Sequence, residues 1–254
     1  LEDIPESLLV VGGGYIGLEL GQVYAALGSE VSVVEMMPQL VPGADKDLIK
    51  VLAQRLKTQF GQIMLETRVA QMEDTGSHVK VSFEAKDSSV TTQTYSKVLV
   101  AIGRRPTTAG LGLENTQVKV NDQGFIEIDT QARTSESNIF AIGDVAGQPM
   151  LAHKATAEAK VAVEVIAGQK SVFEPKAIPA VMFTDPEIAW CGLTESEAKA
   201  EACDIVVTTF PWAASGRATS LGRSDGVTKL ILEPDTHRIL GVGIAGPGAG
   251  ELIA

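Results

Sequence analysis

Cysteine is scarce: the 254 residues contain two, Cys191 and Cys203. They form neither a C-x-x-C pair nor a metal-ligand spacing, so no metal centre is expected on them. Two isolated thiols without secretory context are expected to be buried structural residues in a reducing, cytoplasmic compartment. Positive charge is also short, with 21 Lys and Arg against 32 Asp and Glu and a net charge of −11. Such a surface repels phosphate backbones, so a nucleic-acid partner is not expected, and the acid serves mainly to keep the chain soluble. No run approaches the ~18 apolar residues of a bilayer span, and membrane insertion is not expected. No basic start followed by an apolar stretch marks a signal peptide. The chain opens at Leu1 rather than at a methionine, so residues are expected to be missing at the front.

What the sequence does have is a globular balance, 44% apolar and 21% charged, enough for one large core or two ordinary ones. Leu8-Leu9-Val10-Val11 has the length of a buried strand and runs into Gly12-Gly13-Gly14. Residues 15–27 carry apolar and small side chains at helical spacing, Gly28 stops them, and 31–34 form a second β-branched strand ending on Glu35. Strand, helix and strand in so short a span predict a βαβ unit with a parallel pair. A helix over 45–60, a short strand at 62–65, an antiparallel meander at 68–74, 78–84 and 90–95, and a strand at 97–101 follow. A boundary is expected at Gly103-Arg104-Arg105-Pro106. Beyond it come a turn at 121–124, strands at 125–128 and 139–142, and a helix over 155–167 closed by Gly168. The character changes again near Glu174-Pro175-Lys176. Strands are expected at 205–210, 228–232 and 239–245, with an acidic helix over 194–201 whose Thr194 and Glu197 fit a capping box. Residues 250–254 read as a helix just beginning, so the chain looks cut at both ends.

Gly12-Gly13-Gly14-Tyr15-Ile16-Gly17 matches G-x-G-x-x-G. The pattern alone is weak, but a strand before it, a helix after it and a carboxylate at the end of the second strand make it a dinucleotide signature. Gly12 allows the tight turn, Gly14 lets a pyrophosphate approach the backbone, and Gly17 lets helix and strand pack closely; the helix N-terminus faces the phosphates. Glu35 suits two ribose hydroxyls and repels a 2′-phosphate, and Met36, Met37 and Pro38 offer no arginine beside it, so NAD is expected over NADP. Tyr15 and Glu19 lie one turn apart on the same helix face. A glutamate so early in a helix is explicable by the dipole alone, and the tyrosine by packing. Further on, an apolar strand delivers Gly143, where backbone can approach a ligand, and Asp144, an acceptor for a sugar-like hydroxyl. The helix starting at Ala152-His153-Lys154 could then stabilise negative charge on a bound ring system.

Together the glycine turn, Ala101-Ile102-Gly103-Arg104-Arg105-Pro106, Phe140-Ala141-Ile142-Gly143-Asp144, Met150-Leu151-Ala152-His153-Lys154-Ala155, and the stretches 183–190 and 210–218 occur in the order seen in pyridine-nucleotide disulfide oxidoreductases. The chain resembles the dihydrolipoamide dehydrogenase branch of that family over essentially its whole length. The resemblance implies an α/β fold: a Rossmann-like NAD domain with a β-meander (1–104), a central domain completing the FAD-binding fold (105–174), and part of an α+β dimerisation domain (175–254). It implies that dihydrolipoamide is oxidised to lipoamide, with hydride passing through a disulfide and FAD to NAD. Gly12, Gly13, Gly14, Tyr15, Ile16, Gly17, Glu19, Glu35, Val69 and Gly103 would line the NAD site. Asp144 would hold the flavin ribityl chain, and Met150, Leu151, Ala152 and His153 would lie along the isoalloxazine. Glu19 would sit near the nicotinamide carboxamide, and Tyr15 would stand where a ring shields the flavin. Expected partners are a second copy of the chain, in a homodimer, and the lipoyl-bearing components of 2-oxo acid dehydrogenase complexes. The family's first glycine fingerprint, its redox disulfide and its catalytic His–Glu pair have no counterpart here; neither cysteine, nor His78, His153 or His237, matches them. No catalytic residue is therefore expected within these residues, and the chain alone is expected to be inactive. A non-catalytic NAD-binding fragment, or another flavin disulfide reductase, is the alternative.

Overall fold

The computed structural model describes residues 3–253. They form two compact units, one built from the residues up to Gly103 together with those from Pro179 onward, the other from Arg104–Ile178.

The first unit begins with the expected βαβ: β1 (Ser7–Val11), α1 (Tyr15–Ala26) and β2 (Glu30–Val34), the two strands paired in parallel. There follow α2 (Lys46–Gln59), β3 (Gln62–Met64), the meander β4 (Thr67–Asp74), β5 (Val79–Ala85) and β6 (Val90–Tyr95), and β7 (Lys97–Val100). The parallel sheet has the order β3-β2-β1-β7. Its middle strands are mostly Leu and Val because both faces are covered, with Ser32 the one buried polar residue in them. Leu8 and Val10 point into a core shared with Leu48, Ile49, Leu52 and Leu56, the apolar stripe of α2. Leu9 points the other way, toward Val81, Phe83 and Tyr95 of the meander. There the Phe83 and Tyr95 rings meet edge to face at 6.3 Å, and burial pushes the Tyr95 phenol above its ordinary pKa.

The second unit has one long helix, α3 (Ala152–Ile166), ended by Gly168 in the left-handed region. The strands expected at 125–128 and 139–142 are not formed. Val120 with Ile126, and Arg133 with Phe140, make isolated bridges only. Their backbone bonds are scattered over several partners rather than laddered: the Ile126 amide donates to the Val145 carbonyl, the Glu127 amide to that of Lys119, and the Ala141 amide to that of Ala132. An apolar segment becomes a strand only where a neighbour supplies a ladder, and among the described residues of this unit none does.

Residues from Pro179 return to the first unit as β8 (Ala180–Met182), β9 (Ile188–Gly192), α4 (Glu195–Ala200), β10 (Val206–Pro211), α5 (Gly216–Ser220), β11 (Val227–Leu232), β12 (Ile239–Ala245) and α6 (Ala249–Leu252). The five strands form an antiparallel sheet in the order β10-β11-β12-β9-β8. The Thr194–Glu197 capping box is present in full. The helix start expected at 250–254 is α6, with Ala254 outside the described residues. The cysteines depart from expectation: Cys191 is half-buried and Cys203 exposed, because Cys203 lies in the loop that leaves α4 rather than on a packed face.

This sheet shares a core with the dinucleotide half. Met182, Ile188 and Ala245 belong to the same apolar cluster as Leu48 and Leu52, and a side chain at Gly243 would collide with Leu48, so β12 and α2 touch closely. Two polar clasps reinforce the seam. In one, the Lys229 ammonium on β11, wholly buried, pairs with Asp45 and Asp47, each at 2.8 Å, and with Glu195. In the other, Gln22 on α1 donates to the Asp185 carbonyl at 2.9 Å and accepts its amide at 2.7 Å. The Asp185 carboxylate receives Arg55 at 3.0 Å and Arg223 at 2.7 Å.

Burial alone would raise the Asp185 pKa, but the hydrogen bonds from Arg223 and Arg55 outweigh it, so the group titrates below the ordinary carboxylate value. A depressed folded pKa adds stability above the unfolded pKa of about 3.9, and that stability is lost as pH falls through the folded value. Asp185→Asn is therefore expected to melt lower than wild type at neutral pH, with the gap closing in acid. Melting curves across an acid series check this; a gap that stays constant would contradict it. The pair is half exposed, so the effect is modest.

Candidate dinucleotide and flavin-facing sites

The glycine turn lies at the carboxyl ends of β1 and β2, where ligands of open parallel sheets bind. Gly12 has φ +106°, and a side chain on it would strike the Ala101 carbonyl, so only glycine fits. A side chain on Gly17 would strike the Gly12 carbonyl and Val10, which is the close helix–strand packing expected of that position. Gly14 differs: a Cβ there meets nothing within 4 Å. The space is open, and Gly14 caps α1 without any side chain contributing. No acidic residue stands in the first turn of α1, so its amides and dipole are available to an anion. The turn thus has an open cradle beside a helix start, which fits a pyrophosphate.

Glu35 closes the turn from β2. Its carboxylate accepts the Gly13 amide at 2.7 Å and the Met37 amide at 2.8 Å, which fixes it at the lip of the turn with lone pairs to spare. An open groove of about 380 Å³ lies beside it, lined among others by Met36, Glu66, Arg68, Glu84 and Lys86. The sequence next to Glu35 holds no cation, yet the meander brings two here. Each is matched by an acid: Arg68 by Glu84 at 2.5 Å, and Lys86 by Glu66.

The other expected residues of this site are more dispersed. Gly103, exposed at φ +129°, follows β7, whose continuation docks beside β1 through the Ala101 amide and the Val11 carbonyl. Val69 packs on the meander-side core. Ile16 is half-buried in the first turn of α1, and Tyr15 packs against the main core of the unit. Glu19 lies beyond the first turn of α1, so a dipole explanation is weak; its carboxylate accepts the Phe183 amide at 2.8 Å.

In the second unit, Gly143 (φ +76°) opens a short turn and Asp144 projects from it, half exposed. Arg104 pairs with Asp144 at 2.9 Å and also donates to the Met150 carbonyl at 2.5 Å. That arginine, unassigned from sequence, joins the two segments expected to face a flavin. Met150 is buried, Leu151 half-buried, and Ala152 and His153 are exposed at the start of α3, whose first turn has no acid. An exposed carboxylate beside an unopposed helix start fits a ligand that offers hydroxyls and a ring able to take negative charge.

The family model for pyridine nucleotide-disulphide oxidoreductase matches residues 1–159, and that for the dimerisation domain of the same family matches 178–254. Dihydrolipoyl dehydrogenase of Vibrio parahaemolyticus is 51% identical over all of this chain, which corresponds to 53% of that protein. Dihydrolipoyl dehydrogenase of Haemophilus influenzae is 50% identical over all of this chain and 52% of its own length. Among solved structures, LpdA of Mycobacterium tuberculosis superposes with a TM-score of 0.88 at 29% identity, covering 99% of this chain and 54% of its own. The HOCl-induced flavoprotein disulfide reductase RclA of Escherichia coli does so with a TM-score of 0.88 at 30% identity, over 99% of this chain and 57% of its own. The chain therefore spans about half the length of the relatives it matches.

Proposed function

We propose that this chain, which belongs to the pyridine nucleotide-disulphide oxidoreductase family, supplies the NAD-binding, flavin-facing and interface parts of an enzyme that oxidises dihydrolipoamide to lipoamide. The relatives named dihydrolipoyl dehydrogenase, matched at half identity over the entire chain, support that substrate. The observation that carries the cofactor reading is the open cradle at Gly14 beside a fixed Glu35.

In this reading Gly12, Gly13, Gly14 and the first amides of α1, with Tyr15, Ile16 and Gly17, hold the pyrophosphate of NAD. Glu35 accepts the ribose hydroxyls, and Glu19, Val69 and Gly103 line the remainder of the site. Asp144 accepts hydroxyls of the FAD ribityl chain, while Met150, Leu151, Ala152 and His153 flank its ring. FAD, when bound, supplies the hydride relay between a dithiol and the nicotinamide. The residues present here would bind and orient each of the two cofactors. The division 1–104, 105–174 and 175–254 then separates NAD binding, flavin contact and subunit interface. The partners are a second copy, through 175–254, and lipoyl-bearing components of 2-oxo acid dehydrogenase complexes, in the cytoplasm. No helix of the described residues is long and apolar enough to cross a membrane.

The discrimination between NAD and NADP tests the reading. A 2′-phosphate would meet the Glu35 carboxylate, and Arg68 and Lys86 are already neutralised; like-charge contacts in a binding site cost on the order of several kcal/mol. The protein carrying this chain is expected to prefer NAD by at least about a hundredfold, and Glu35→Ala to erode that preference about tenfold. Steady-state kinetics with both nucleotides measure it; equal use of NADP by the wild type would sink the assignment.

A further inference from the structure

We infer that Lys154 and Glu158 form a buried brace that positions the 143–147 turn, and through it Asp144, for flavin binding. The inference rests on the flavin-facing role proposed above.

Lys154 and Glu158 stand one turn apart on α3, and their side chains are 6% and 4% exposed, joined at 2.7 Å. Their neighbours along the buried face of the helix are Val161, Ala162 and Val165. Desolvating two charges costs more than their attraction commonly returns, and well-packed apolar residues of similar volume hold a helix as well or better. A pair kept in such a place calls for a use that apolar side chains lack. Here both charges have a second partner, in the same turn. Glu158 accepts the Gly143 amide at 2.7 Å, and Lys154 donates to the Gly147 carbonyl at 3.2 Å.

The turn is thereby gripped at both ends. Gly143 and Gly147 have positive φ, +76° and +143°, so neither end is held by an ordinary backbone preference. Gly143 lies so close to α3 that a Cβ on it would stand 3.1 Å from the Ala155 methyl. From the opposite side the Val145 carbonyl accepts the Ile126 amide at 2.8 Å. With backbone fixed at these points, Asp144 is the residue turned outward, half exposed and paired with Arg104. Arg104 in turn holds the Met150 carbonyl at the approach to α3. The brace therefore sets the position of the one carboxylate that this reading assigns to the flavin, without touching the flavin itself. Lys154 and Glu158 are positioning residues.

The test uses the full-length protein and two double variants that leave no lone buried charge. Lys154→Met with Glu158→Gln keeps an acceptor for the Gly143 amide and removes the lysine arm. Lys154→Met with Glu158→Leu removes both arms. FAD dissociation is followed by flavin fluorescence and the bound ring by visible circular dichroism. Amide exchange of 143–147 reports the turn, and NAD affinity reports folding of the other unit. Expected are FAD binding weaker by about tenfold in the first variant and about a hundredfold in the second, an altered flavin dichroism, faster exchange at Gly143 in the second, and unchanged NAD affinity. FAD binding within twofold of wild type in the Met–Gln variant and, where it folds, in the Met–Leu variant, with unaltered dichroism, overturns the inference. A wild type that takes up no FAD overturns the functional reading and the brace with it, an outcome distinct from variants that bind FAD normally.

Discussion

Replacing Lys229 by methionine is expected to cost about 3–5 kcal/mol of stability, the range for removing one partner of a buried ion pair. The ammonium is wholly buried and lies among Asp45, Asp47 and Glu195. Asp47 and Glu195 can turn to solvent, being 40% and 47% exposed, but Asp45 is 7% exposed and would be left buried without its cation. The carboxylates lie within reach of a common centre, as metal ligands would, but the ammonium already fills that place. Burial by itself would lower the lysine pKa; the hydrogen bonds it donates to Asp45, Asp47 and Glu195 more than reverse it, so the group titrates above its ordinary value. A raised folded pKa means that the contribution is fully present below the unfolded pKa, about 10.4, and is lost as pH rises through the folded one. The deficit of Lys229→Met should thus be constant through neutral pH and shrink only in strong alkali. Denaturant unfolding at several pH values measures it. A deficit below about 1 kcal/mol at neutral pH would mean that the clasp is no stronger than a surface pair.

The second large effect is on binding rather than on folding. Gly14→Val places a side chain in the open cradle, where its Cβ meets no protein atom within 4 Å. The change costs the N-cap of α1 about 1 kcal/mol at most, so melting should fall little. A pyrophosphate approaching the backbone would meet the valine and lose several charge-assisted hydrogen bonds, each on the order of 1.5–3 kcal/mol. NAD affinity should drop at least about a hundredfold, while FAD content stays at the wild-type level. Gly12→Ala is the contrasting control: its clash with the Ala101 carbonyl and its φ of +106° predict damage to the fold itself. Calorimetric NAD titration of both variants, beside their melting curves, separates the two cases. Undiminished NAD binding by a folded Gly14→Val protein would place the dinucleotide elsewhere.

What the sequence makes legible follows from the range of the forces involved. The βαβ unit, the meander and the Thr194 capping box rest on side-chain period and on contacts a few residues apart, and all three are present as read. The segments at 125–128 and 139–142 read as strands from their apolar content, whereas ladder formation depends on a distant neighbour that the local pattern does not reveal. The reverse holds for β8 and β9, short segments around 180–192 that become strands only by pairing with each other and with β12. The glycine turn and Glu35 were visible because they are nearly contiguous. Arg104, whose partner Asp144 is 40 residues away, carried no such mark, nor did Lys229, 182 residues from Asp47. Glu158 was hidden differently: at i+4 from Lys154 it looks like a common solvent-exposed helix pair, and only burial reveals it.

The most direct test of the central claim is dihydrolipoamide-dependent formation of NADH by the full-length protein that carries this chain, assayed for wild type and Gly14→Val together. The expected result is turnover by the wild type with NAD and little with NADP, and loss of that turnover in the variant although its flavin and fold are intact. Absence of dihydrolipoamide oxidation by the flavin-loaded wild type, or turnover unchanged in Gly14→Val, would contradict it.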